Sequence, residues 1–273
     1  MPGDPTLHEP VDVVRPARSL PGSALRVLAN SGYGLWLLLG LALALGIYPA
    51  GRGDALVPLA LGAMLVSASP LATLLRLPFA ADWLGWRFGR GSRPTRHALL
   101  AMVTYLPMLG VAGLARGDNL FWATRLSAAV LALCSLACLV YAMPGRDGLR
   151  GTWGRRFARI FSAGYAGGLW LWLCLAAQES DHLGAIYSVA WVLVLQGLAL
   201  LFWLLSRRGY GKTRHPAGRL VFLALVYLIP CLIVLLAQSR EPRELLIALA
   251  AVSCLAGKSI EPRLCRESAA RGA

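Results

Sequence analysis

The sequence predicts an all-α, polytopic integral membrane protein with eight transmembrane helices. Three observations predict it. Eight apolar runs recur along 273 residues. The chain is 57% hydrophobic and only 15% charged, with a mean hydropathy of +0.60, far from a soluble globular composition. Of its 27 Lys and Arg residues, 22 fall on one side when the eight runs are numbered as alternating crossings. Short cytoplasmic loops are enriched in Lys and Arg, so both termini are expected in the cytoplasm.

The runs are 32–49, 55–75, 97–115, 120–143, 160–177, 184–205, 219–238 and 244–258. Each is read as a helix, because a helix satisfies its own backbone hydrogen bonds in hydrocarbon. The last run is shorter than the roughly 20 residues that cross a bilayer core. It either extends through Ser259 and Ile260 or ends in thinned lipid. Residues 1–31 carry Pro2, Pro5, Pro10, Pro16 and Pro21 and read as a polar cytoplasmic tail. Residues 32–143 form a first four-helix half, 144–159 a basic cytoplasmic linker, 160–258 a second half, and 259–273 a cytoplasmic tail. The first run begins late and lacks a clear small-residue cleavage site, so it is read as a retained span rather than a signal peptide. A bacterial inner membrane is the expected location.

The two halves share local patterns. Gly32-Tyr33-Gly34-Leu35-Trp36 opens the first span, and Gly164-Tyr165-Ala166-Gly167-Gly168-Leu169-Trp170 opens the fifth. Thr95-Arg96-His97 leads to Tyr105-Leu106-Pro107. Thr213-Arg214-His215 leads to Tyr227-Leu228-Ile229-Pro230. A repeat with an even number of spans gives two halves of the same orientation. The expectation is two parallel four-helix bundles packed through small residues.

A net charge of +14 raises nucleic acid as a partner. The charge lies in loops beside apolar spans, which assigns it to topology and anionic lipid instead. None of the 13 Asp and Glu residues sits in the middle of a run, which argues against a proton-driven pump. No His-Glu-x-x-His or Gly-x-Ser-x-Gly motif occurs. The four histidines, His8, His97, His182 and His215, do not make the paired set that a bis-His haem needs. No Cys-x-x-Cys pair exists, and cytoplasmic or lipid surroundings keep thiols reduced. No metal, haem or covalently bound cofactor is therefore expected. Cys134 and Cys138 share a helix face and are read as packing residues. Arg125 near the outer end of the fourth span has two readings: it snorkels to the interface, or it lines a cavity for an anionic or carbonyl-bearing ligand. Trp36, Trp170, Trp172 and Trp191 lie deeper than the other tryptophans and are read as packing rather than as a pocket lining.

Three patchy patterns carry a resemblance. One runs from Ala72 to His97, through Ala-Thr-Leu-Leu-Arg-Leu-Pro-Phe at 72–79 and Ser92-Arg93-Pro94-Thr95-Arg96-His97. The second is Tyr141, Trp153, Phe161 and Gly167-Gly168. The third is Leu255-Ala256-Gly257-Lys258-Ser259-Ile260. With length and span count, these resemble the membrane-anchor subunits of dimethyl sulfoxide reductase-type molybdoenzymes. The resemblance implies a non-catalytic subunit that tethers a respiratory oxidoreductase and exchanges electrons with the quinone pool. Iron–sulfur and molybdopterin partners would sit on the cytoplasmic side, and Ser92, Arg96 and His97 would hold a quinone headgroup. The chain departs from the family where its histidine falls at Leu75 and its acid at His97. The loop after the second span faces the periplasm in the family's best-known member, whereas five arginines assign it here to the cytoplasm. Two other readings stand beside this one: a carrier or flippase for a hydrophobic or lipid-like solute, and a membrane assembly or immunity factor.

Overall fold

The computed structural model describes residues 20–48, 53–77, 83–84, 86, 93–115, 121–142, 153–178, 189–207, 216–237 and 243–270. Every extended element among them is helical: α1 (Leu20–Ala44), α2 (Leu56–Leu74), α3 (Arg96–Val103), α4 (Tyr105–Leu114), α5 (Trp122–Ala137), α6 (Trp153–Ala177), α7 (Val189–Arg207), α8 (Pro216–Leu223), α9 (Ile229–Leu236) and α10 (Arg243–Ala270). A π-helical turn, Cys138–Ala142, prolongs α5, and another, Ala224–Leu228, joins α8 to α9. Five helical stretches are long and apolar enough to cross a membrane: Pro21–Ala44, Leu56–Leu74, Arg96–Leu114, Trp122–Tyr141 and Arg156–Ala177. Ala190–Ser206 and Leu220–Leu236 are shorter apolar helices.

The outer surface is what a lipid-immersed protein requires. Met64, Leu106, Leu133, Leu220 and Leu245 are each 66–71% exposed. In water such a girdle would be an aggregation surface; in hydrocarbon it costs nothing. The chain is thus a helical protein built for membrane embedding.

Two buried clusters divide the described residues. The first joins α1, α2, α3–α4 and α5 around Tyr33, Trp36, Leu39 and Leu131. The second joins α6, α7, α8–α9 and α10 around Tyr165, Leu169, Val226 and Ile247. Neighbouring segments run antiparallel. On α1, Gly32 meets Gly62 and Val66 of α2, while Trp36 Nε1 donates to the Leu59 carbonyl at 3.1 Å. Gly40 abuts Ala128 and Ala132 of α5. In the second set, Tyr165 of α6 lies level with Tyr227 at a ring distance of 6.0 Å, and Ser253 of α10 donates to Leu225.

α1 and α6 run parallel and join the two sets. A Cβ built on Gly34 would collide with the backbone of Ala163, and one built on Gly167 would collide with the backbone at Gly34 and Leu35. Only glycine permits backbones this close, the small-residue packing expected between membrane helices. Farther along, the Tyr48 hydroxyl meets Gln178 Oε1 at 3.3 Å, and Gln178 Nε2 donates to the Asp54 carbonyl at 2.7 Å.

Three boundaries differ from the sequence reading. α1 begins at Leu20, inside the expected polar tail; Ala24, Leu25, Val27 and Leu28 interleave with its polar residues. α6 begins at Trp153, inside the expected linker. α10 runs to Ala270, so the eighth run is part of a 28-residue helix rather than a short one. Hydropathy registers only the lipid-facing part of a helix. The polar ends are helical because they pack on one another: Ser23 Oγ donates to the Ser259 carbonyl at 3.0 Å, and Trp203 Nε1 donates to Glu261 Oε1 at 2.9 Å.

Candidate functional site

Of the three residues expected to meet a headgroup, Ser92 lies outside the described residues. Arg96 and His97 form the first turn of α3 and are both exposed. That turn is fixed by Thr95, whose hydroxyl accepts from the Ala98 amide at 3.2 Å and donates to the Leu84 carbonyl at 2.8 Å. This is N-cap geometry, and it anchors the helix start to the loop holding buried Trp83. Arg96 and His97 therefore sit on a firm ledge with their side chains outward. They do not line a buried pocket. His8, His182 and His215 fall outside the described residues. Arg125 is also exposed, and its Nε donates to the Ala44 carbonyl at 3.1 Å. It caps the end of α1 rather than facing a cavity, where the helix leaves carbonyls without partners.

Among the described residues, a buried charged side chain lies in the second set, toward the end where α6 begins. Lys258 is 8% exposed. Its amino group donates to the Ser162 carbonyl and stands 5.6 Å from the Tyr165 ring centroid. Glu261, one turn on, interacts with it electrostatically and also accepts from Trp203. A file of rings runs from the lysine round to Glu261: Tyr165, Tyr227, Phe222 and Trp203, at successive centroid distances of 6.0, 6.3 and 5.2 Å. The sequence reading placed Lys258 at the last residue of the eighth run, where a charge reads as interfacial.

Proline chemistry builds the adjoining layer. Pro230 has no N–H, so the carbonyls one helical turn back lose their donor. Three side chains from three helices fill this stretch. Ser253 Oγ donates to Leu225 at 2.9 Å, Tyr165 Oη to Val226 at 3.2 Å, and Gln196 Nε2 to Tyr227 at 2.6 Å. Irregular backbone at membrane depth needs such partners. Gln196 Oε1 remains buried without one. Its signal was a lone glutamine inside the apolar run 184–205.

The first set has a related cluster. Thr104 Oγ1 donates to Leu100 at 3.0 Å and lies 3.1 Å from Cys138 Sγ. The Tyr33 hydroxyl adjoins the same thiol. Tyr105 bonds Ser67 at 2.8 Å and meets the Trp36 ring edge-on at 5.6 Å. Cys138 is thereby a buried packing residue with polar neighbours. Among the described residues, no group of three or more His, Cys, Asp or Glu side chains is arranged to hold a metal. Trp36 and Trp172 are packed in the cores as read from sequence. No family model, curated protein or solved structure matches the chain.

Proposed function

We propose that the protein is a non-catalytic anchor subunit of a bacterial inner membrane. In this reading it crosses the membrane eight times, with both termini cytoplasmic and two parallel four-helix halves. It tethers a respiratory oxidoreductase through iron–sulfur and molybdopterin subunits on the cytoplasmic side and exchanges electrons with the quinone pool. The observation that carries the anchor reading is the backbone-to-backbone meeting of α1 and α6 at Gly34 and Gly167. A carrier that rocks one half against the other must open its central interface. Here that interface holds the closest backbone approaches found at any described glycine, which suits a fixed platform.

The electron-transfer part rests on the resemblance. Arg96 and His97, exposed on a capped ledge, suit a quinone headgroup that approaches from the lipid. Imidazole can accept a quinol proton near neutral pH. Duplication is supported by equivalent residues in the two clusters. Tyr33, Tyr105 and Cys138 gather in one, and Tyr165, Tyr227 and Cys254 in the other.

The test is mild detergent extraction of the tagged chain from its native membrane. The anchor reading expects a co-purifying protein with an iron–sulfur electron paramagnetic resonance signal. It also expects a quinone-analogue affinity that weakens in His97→Ala. A chain that emerges alone, ignores quinone analogues and moves lipid in proteoliposomes would establish the carrier reading instead, which the parallel halves also suit.

A further inference from the structure

Lys258 has fewer partners than its burial requires. It is 8% exposed. An ammonium carries three donors, and one goes to the Ser162 carbonyl, which leaves two without an acceptor among the described residues. The Tyr165 ring centroid stands 5.6 Å away. Glu261 acts on the lysine electrostatically, but no described carboxylate forms an ion pair with it. The Glu261 carboxylate instead accepts from Trp203 of α7 at 2.9 Å. Buried charges are normally paired and hydrogen-bonded. An ionisable residue inside a membrane helix set that lacks such a partner marks a functional site.

The surroundings say what kind of partner fits. α10 packs closely on the π turn, where a Cβ on Gly257 would lie 2.5 Å from Val226 Cγ2. α7 is different, because its backbone hardly approaches α8 or α10. Side chains span that gap. Trp203 bonds Glu261 and stacks on Phe222 at 5.2 Å, and Tyr227 follows at 6.3 Å. Leu204, next to Trp203, and Val221, next to Phe222, are 38% and 53% exposed. Both helices thus present apolar side chains to lipid beside these rings. A gap closed by side chains opens by rotamer change, which is faster than movement of whole helices.

We propose that Lys258 binds the head of a lipid-soluble carboxylate, a free long-chain fatty acid in its simplest form. The two open donors match in number the two oxygens of one carboxylate. A phosphodiester would bring further polar atoms into the same interior without partners. The acid supplies the ion pair that the buried ammonium lacks. Its chain leaves past the Tyr165, Phe222 and Trp203 rings and reaches lipid through the gap beside α7. The site lies inside the second set and is separate from the exposed ledge at Arg96 and His97.

The experiment is native mass spectrometry of the full chain in a neutral, mild detergent, offered palmitate, methyl palmitate, acetate or phosphatidylglycerol. The wild type should retain palmitate and release the methyl ester, which keeps the hydrocarbon chain and loses the charge. Lys258→Met keeps an unbranched side chain, and an apolar residue is often tolerated where a buried charge stood. It should lower palmitate retention roughly 30-fold, as the loss of a charge-assisted hydrogen-bonded pair implies. Arg76→Gln removes an exposed arginine of the first set and should leave retention unchanged. Equal retention of palmitate by the wild type and Lys258→Met overturns the proposal. Equal retention of palmitate and its methyl ester does the same, and that comparison uses the unaltered protein, so it decides the matter even where the variant does not fold. Displacement of palmitate by an equal concentration of acetate overturns the amphiphile in favour of a small-anion site open to water. Stronger retention of phosphatidylglycerol than of palmitate overturns the carboxylate in favour of a phospholipid site. A wild type that retains no palmitate leaves water to complete the ammonium, and the proposal fails. None of these outcomes depends on the anchor reading.

Discussion

The two helix sets solve one problem in different ways. Each has a tyrosine on its first helix, a Tyr–Pro segment on its third and a cysteine on its fourth. In the first set the spacing is Tyr105-Leu106-Pro107, and the helix breaks at Thr104, whose hydroxyl turns back to Leu100. In the second set an added residue gives Tyr227-Leu228-Ile229-Pro230, and a π turn absorbs it. A π turn holds one more residue than the α-helical turn it replaces. Its loosened carbonyls are satisfied from three other helices. The glycines differ as well. A Cβ on Gly32 would lie 2.7 Å from Val66 Cγ2, whereas one on Gly164, its partner in the sequence pattern, would meet nothing within 4 Å. The break at Thr104 is closed first by its own hydroxyl, and the stretch before Pro230 by side chains of other helices. Four residues beyond the cysteine, the first carries Ala142 and the second Lys258.

The largest effect expected from this comparison comes from the shared crossing. Gly34→Leu drives a side chain into backbone that cannot move aside, and should destabilise the detergent-solubilised protein by roughly 3 kcal/mol or more. Gly164→Ala should be neutral or slightly stabilising, since Ala is the better helix former. Thermal unfolding of both variants reads the contrast. Equal melting temperatures would mean that α1 and α6 do not meet as described.

Lys258 ranks second. Lys258→Ala removes the donor to Ser162 and one electrostatic partner of Glu261, which still accepts from Trp203. Losing a hydrogen bond from a charged donor costs roughly 2 kcal/mol. The equivalent change in the first set, Ala142→Gly, should cost only about 1 kcal/mol, the helix-propensity difference. If Lys258→Ala matches Ala142→Gly, the lysine points outward and the second set has no polar interior at that end.

The helical class and the apolar segments were legible because each depends on local composition. The ends of α1, α6 and α10 were not. Ser23, Ser259, Trp203 and Glu261 are polar, and polarity in a membrane sequence reads as a loop until a partner is known. Lys258 shows the same failure at one residue. A lysine after an apolar run reads as an interfacial charge, and only the neighbouring helix turns it into an interior one. The expected headgroup residues were half legible. A Thr before Arg96 predicts a helix start, which is correct, but nothing in the sequence says whether Arg96 and His97 then face inward. The π turn was visible as a one-residue slip between the Tyr–Pro motifs, although its three acceptors lie 31 and 61 residues from Gln196 and Tyr165 and 28 from Ser253.

The smallest effect tests whether proline is the cause of that turn. Tyr165→Phe removes the donor to Val226 and should cost about 1 kcal/mol, typical of a hydrogen bond between membrane helices. Pro230→Ala returns a backbone N–H to the same stretch, so Val226 regains a helical donor. If the missing amide is why Tyr165 is needed, Tyr165→Phe should cost markedly less in the Pro230→Ala background. The coupling in a double-mutant cycle, measured by thermal unfolding, is then of the same size as the single effect. Strict additivity would show that Tyr165 holds Val226 for reasons unrelated to Pro230. The contrast between a locally closed break at Thr104 and a cross-helix closure at Val226 would then lose its physical basis. The matching change in the first set, Tyr33→Phe, leaves Thr104 still bonded to Leu100, so its effect should be independent of Pro107.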